Sequence, residues 1–267
     1  MVISRQRIDL ATVAGIALLL MPALTTLHEL GGHAGACLAL GGKLRDIGAF
    51  YVDCEAPSDL ARRLVAAAGP GIDIVVAALV YTLWLRMTSD MARLVGWYIW
   101  LSCGFAAAGY FLYSGVTGIG DLGPSGTEGI GPLPAPLLFR AIFALGGGGV
   151  YVLLVKTGIR TLSRMIGTGP STMPARKRIA HGFYAVLCLA ALLASLLNPI
   201  GLFITLASAA AASFGGHAGL ISIGFAPGGQ QDVPLPFAIE RSWLLFAAGG
   251  VATIAFAAIL GPTISFG

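Results

Sequence analysis

The chain has 267 residues, of which 57% are hydrophobic and only 10% charged, and its mean hydropathy is +0.86. A soluble domain needs far less apolar surface to fill one core, so the composition excludes that class and points to a polytopic membrane protein. The formal charge of +4 does not indicate nucleic acid, because the basic residues fall in the gaps between apolar runs rather than along one face.

The first hydrophobic segment runs from about Asp9 to Leu40 and stops at Gly41-Gly42. It has the basic start and apolar middle of a secretory signal, but no convincing small-x-small cleavage site precedes His28, so an uncleaved first membrane helix is expected. At ~1.5 Å per residue it exceeds the ~30 Å hydrocarbon core, which predicts a tilt or a bend at Gly31-Gly32. From Lys43 to Asp59 apolar and charged residues interleave, the pattern of a short β-hairpin or extended surface loop. A second segment spans about Leu64 to Leu85 and carries Asp73 within it. The third, about Leu94 to Val116, breaks at a glycine-rich run containing Asp121. Pro132 to Pro136 lead into the fourth, about Leu137 to Val155. Lys156, Arg160, Arg164, Arg176, Lys177 and Arg178 then crowd one expected loop, which the positive-inside rule makes cytoplasmic. Segments at about Ile179 to Leu197, Ile200 to Leu220 and Trp243 to Leu260 complete six to seven spans, with a break at Asn198-Pro199. Counting back from the basic loop puts the N-terminus in the cytoplasm and the Lys43 to Arg63 loop outside, although Arg62 and Arg63 run against that count. Cys37, Cys54, Cys103 and Cys188 show no close spacing; three of them fall in expected helices, and core packing is the expected role.

The stretch that carries chemistry is Leu27-His28-Glu29-Leu30-Gly31-Gly32-His33, in an apolar run without lysine or arginine between Arg7 and Lys43. Burying a charge at membrane depth costs roughly 2.5–3.5 kcal/mol by insertion scales, so such a cluster marks function more often than packing; the plainer alternative is hydrogen bonding between helices. A metal-hydrolase helix usually carries His-Glu-x-x-His, with the histidines ~40° apart on one face. Here the second histidine comes one residue later, which on a regular helix sets the pair about 140° apart. A π-bulge absorbs one extra residue, and Gly31-Gly32 permit it. With His28 and His33 as two ligands for Zn2+, a third protein ligand is needed. Asp121 is the first choice against an ordinary turn aspartate; Asp73, Glu128 and His217 follow. His217 lies in Gly215-Gly216-His217-Ala218-Gly219, an echo of Gly31 to Gly35 short enough to arise by chance in a Gly/Ala-rich chain. Glu29 is the expected general base, taking a proton from water at the metal and passing it to a leaving amine.

On these residues the chain resembles the site-2 protease family of intramembrane zinc metalloproteases. The resemblance rests on His28, Glu29 and His33 in the first segment, Ala68-Gly69-Pro70 at the opening of the next, and Asp121 later, in the family's order, over roughly the first 130 residues. It implies that Asp121 is the third zinc ligand and that Lys43 to Asp59 form a membrane-associated β-hairpin. The chain departs from the family by the extra residue in the motif, by Leu122 after Asp121, and by Asp73 where the family's Gly-Pro-x-x-Asn pattern has asparagine. It also departs in orientation, since the family's motif helix usually enters from outside and presents its histidines nearer the cytoplasm. The soluble dipeptidyl peptidase III family has the His-Glu-x-x-Gly-His spacing, which Gly32-His33 matches.

The resulting expectation is an all-α polytopic membrane protein with a surface β-hairpin after the first helix. Residues 1–135 form a metalloprotease-like core, and residues 136–267 add further membrane helices. The expected activity is a zinc metallopeptidase acting on a membrane-protein or peptide substrate, in the lipid bilayer of a bacterial inner membrane and without nucleic acid. Two rivals remain: a single-zinc lipid amidase, and a transporter or structural subunit with a metal or proton site, which the broken helices also suit. Di-iron desaturase chemistry needs about eight histidines, and this chain has four.

Overall fold

The computed structural model describes residues 6–127, 129–197 and 210–266. Six of its helices are long and apolar enough to cross a membrane. A two-residue strand, β1 (Arg7–Ile8), precedes α1 (Leu10–Thr26), whose first turn is capped by the Asp9 carboxylate accepting from Thr12 N at 3.0 Å. The helix continues without a break through a π-helical stretch, Leu27–Ala34, into α2 (Gly35–Ala39). The chain then turns back as an antiparallel hairpin of β2 (Lys43–Gly48) and β3 (Tyr51–Glu55), where the sequence alternation places it. Ser58 caps α3 (Asp59–Trp84) and Ser89 caps α4 (Asp90–Thr117), each through its hydroxyl. α4 ends on Gly118, whose φ of 83° is the left-handed conformation that favours glycine.

The fourth long helix, α5, runs from Pro136 to Ile166 and α6 from Met173 to Ser195. This corrects the expected basic loop: Lys156, Arg160 and Arg164 are the exposed last turns of α5, and Arg176, Lys177 and Arg178 the first turns of α6. Long cationic side chains lie along a helix end and reach the interface, so they do not terminate it. Arg176 is the exception. It is fully buried and donates to Thr172 Oγ1, Ser163 Oγ and the Gly167 carbonyl, stitching the α5–α6 turn.

Beyond Leu197 the described chain resumes with a second π-helical stretch, Ala210–Gly215, and α7 (Gly219–Phe225). Leu197 sits beside Gly261 at one end of the bundle, while Phe225 lies under the Lys177 ammonium at the other. The Asn198-Pro199 break and the first ten residues, 200–209, of the expected sixth segment lie outside the described residues. The last long helix is α8 (Trp243–Leu260).

Short strands tie the two ends. β4 (Gly167–Thr168) pairs with β5 (Val233–Pro234), and β1 pairs in parallel with β6 (Ala238–Ile239), at the end carrying the basic residues. At the opposite end β7 (Ile264–Ser265) adds to β2, giving the order β3-β2-β7. Inside, α1 packs between α6 and α8, and α4 runs between α3 and α5. Trp97, Tyr98, Phe105 and Phe183 fill the centre, with the Tyr98 and Phe183 rings stacked 3.8 Å apart and the Tyr98 hydroxyl donating to Ile179 O at 2.8 Å. Large aliphatics such as Val75, Leu79, Leu145, Leu153, Leu244 and Ile254 face outward. An apolar belt of that extent belongs in lipid.

The cysteines also differ from expectation. Cys37 and Cys54 form a disulfide, because the hairpin folds back over α2 and brings residues 17 apart together. Cys103 and Cys188 are buried and free, in keeping with a packing role.

Candidate metal centre

The π-helical stretch resolves the spacing problem of the motif. Hydrogen bonds from residue i to i+5 lay side chains five apart over one another, so His28 and His33 meet with their Nε2 atoms 3.3 Å apart. Gly32 lets this over-wide helix approach α3 closely. A Cβ on Gly32 would stand 2.6 Å from Gly69 Cα, and one on Gly69 would stand 2.3 Å from His33 Nε2 and 2.6 Å from His28 Nε2. The two backbones meet glycine to glycine, and the space a side chain would fill is the space in front of the imidazoles.

Each histidine is oriented through its other nitrogen. His28 Nδ1 lies 2.8 Å from Asp73 Oδ2, and His33 Nδ1 lies 2.8 Å from the Val65 carbonyl oxygen. A carbonyl only accepts, and so does an ionised carboxylate, so each Nδ1 is the donor, and a neutral ring then presents its Nε2 lone pair. The Tyr110 ring stacks on His28 at 4.8 Å and holds its plane.

The third group comes from the loop after α4. Asp121 Oδ2 lies 3.5 Å from His28 Nε2 and 3.3 Å from His33 Nε2. The loop is held from α3 by Arg62, whose guanidinium donates to the carbonyls of Thr127, Gly129 and Gly131, and by Arg63, which donates to Pro132 O at 3.1 Å. Both arginines also pair with Asp59. They are loop anchors.

His28, His33 and Asp121 together form a group able to hold a metal ion. With both rings neutral, two nitrogen lone pairs and a carboxylate oxygen converge on one point, an arrangement that suits a cation. Ligand atoms about 2.0–2.2 Å from a tetrahedral zinc ion lie roughly 3.3–3.5 Å apart, and the three separations here are 3.3, 3.3 and 3.5 Å. The donor set and the Gly69 cradle therefore fit such an ion.

The remaining candidates fall elsewhere. Asp73 is not in the ligand group, since its carboxylate is spent on His28 Nδ1. Glu128 lies outside the described residues. His217 is brought by the segment before α7 to a small cavity of about 70 Å³ beside the metal group, which it lines with Glu29, Asp73, Ser102, Tyr110 and Ser213. Glu29 is 3% exposed, and its Oε2 has no hydrogen-bond partner among the described residues. Sequence reasoning did not single out Tyr110, Ser213 or the Val65 carbonyl. A tyrosine and a serine inside apolar runs are a faint signal; a backbone carbonyl gives none. No protein-family model, curated protein or solved structure matches the chain.

Proposed function

We propose that the chain is a membrane-embedded zinc metallopeptidase of site-2 protease type, hydrolysing a peptide bond of a membrane-protein substrate within or beside a bacterial inner membrane. The observation that carries the reading is the triangle of His28 Nε2, His33 Nε2 and Asp121 Oδ2, with both Nδ1 atoms engaged and a buried glutamate next to it. Bound there, zinc would polarise a carbonyl and acidify water.

The chain's own residues supply the rest. His28 and His33 are held by Asp73 and Val65 with their lone pairs aimed at one point. Glu29 takes a proton from the attacking water as its oxygen bonds to the carbonyl carbon, and returns that proton to the amide nitrogen as the C–N bond breaks. Burial and an Oε2 without a partner among the described residues suit Glu29 to hold the proton in between. The apolar walls of the cavity, Leu20, Met21, Leu24 and Leu187, keep bulk water away.

Elemental mass spectrometry of detergent-purified protein tests the reading. Near-stoichiometric zinc is expected in the wild type and in Glu29→Gln, and none in His33→Ala or Asp121→Ala. Glu29→Gln should lower hydrolysis of a membrane-protein substrate by about 10²–10⁴-fold. Wild-type protein free of metal after purification without chelators would sink the proposal.

A further inference from the structure

A larger cavity lies away from the metal group, on the other side of α4. It is a cleft of about 730 Å³ between α3 and α5, floored by α4 and lined by residues including Tyr81, Trp100, Ala107, Phe111, Phe143 and Val150. The metal-side cavity takes Ser102, Cys103, Ala106 and Tyr110 from α4, whereas this cleft takes Trp100, Gly104, Ala107 and Phe111, so the two sit on opposite helix faces. The cleft is almost wholly apolar and opens towards lipid, because α5 packs chiefly on α4 and exposes much of its length.

Its size selects the occupant. A helix about 10 Å across and 30 Å long fills roughly 2,400 Å³, more than the cleft offers, whereas an extended hydrocarbon chain is thin enough to enter. Charge selects the headgroup. Thr157 ends the α5 wall, and Arg160 continues the same stripe one helical turn further, next to Lys156; Arg86 follows the end of α3. All three cations are exposed, and none forms an ion pair among the described residues. The Trp100 indole N–H is buried without an acceptor among the described residues, a place for a lipid ester carbonyl.

We propose that the α3–α5 cleft binds an acyl chain of an anionic phospholipid from the leaflet at the basic end of the bundle, with its phosphate on Arg160, Lys156 and Arg86. This site is independent of the peptidase reading, since it shares no residue with the metal group. Bilayer depth and cationic ends make this a lipid site rather than a site for a free anion.

Native mass spectrometry of delipidated protein, titrated with dioleoyl phosphatidylglycerol or dioleoyl phosphatidylcholine, provides the test. One phosphatidylglycerol per chain, bound at least tenfold more tightly than phosphatidylcholine, is expected. Ala107→Phe should abolish that binding by filling the cleft, and the pair Lys156→Gln with Arg160→Gln should reduce it to the phosphatidylcholine level. Should Ala107→Phe not fold, Val150→Trp blocks the cleft from a half-exposed position on the other wall. Retained zinc or an unchanged melting temperature shows that a variant is intact. Equal binding of the two lipids, undiminished binding in folded cleft-filling variants, or a dimer lost in those variants with no lipid bound to the wild type would overturn the proposal.

Discussion

At the scale of single residues, the work falls on groups one step back from the ligands. Asp73 holds the His28 ring and feeds charge into it through Nδ1. Partners of this kind typically alter metal affinity by about 10–100-fold. Asp73→Asn keeps the shape and removes the charge, so a chelator competition titration should show zinc affinity weakened in that range while stoichiometry at saturating zinc stays near one. Unchanged affinity would mean that Asp73 only fills space. His28, Glu29 and His33 were legible because ionisable groups in a long apolar run are costly, and Asp121 because glycines break a helix around it. Asp73 was legible as an acid in need of a partner, but not as the partner of His28. Forty-five residues separate them, and only the packing of α3 on the π-helical stretch closes that distance. The Val65 carbonyl was beyond reach, since every residue has one.

At the scale of elements, the loop of residues 118–135 positions Asp121 but has little core of its own. Its anchors are Arg62 and Arg63 below it, and Arg140 of α5, which donates to the carbonyls of Gly115 and Val116 at the end of α4. A hydrogen bond to a charged group contributes about 1.5–3 kcal/mol, less where the freed carbonyl can turn to water. Arg62→Gln should therefore loosen the loop. The expected outcome is about tenfold weaker zinc binding and faster protease nicking within residues 118–135, read by chelator competition and by mass spectrometry of the fragments. The π-helical remedy and the hairpin followed from spacing and alternation. The length of α5 did not, because cations at a helix end read like a loop until packing shows them on the helix surface.

For the whole molecule, the disulfide and the basic cluster stand at opposite ends. Cys37–Cys54 lies with the three-stranded sheet, while the exposed cations of α5 and α6 lie with β4 and β5. A disulfide persists in an oxidising compartment and a basic cluster stays cytoplasmic, so both features orient the chain the same way. A membrane-impermeant maleimide applied to intact cells should label Thr127→Cys and leave Arg178→Cys unlabelled; the reverse pattern would invert the topology. Both positions are exposed, and the two native free thiols are buried. The orientation expected from charge rests on discounting Arg62 and Arg63, and which carbonyls they hold was not legible in the sequence.

The π-helical stretch also bears on how such centres are found and how they arise. A single inserted residue is taken up between His28 and His33, where Gly31 and Gly32 ease it, so neither flank of the helix has to rotate and the pair still converges. Insertion at that point is therefore close to silent for geometry while it erases the textual signature of the centre. A pattern written for α-helical spacing reads past it; one that allows a small residue pair and a fifth step does not.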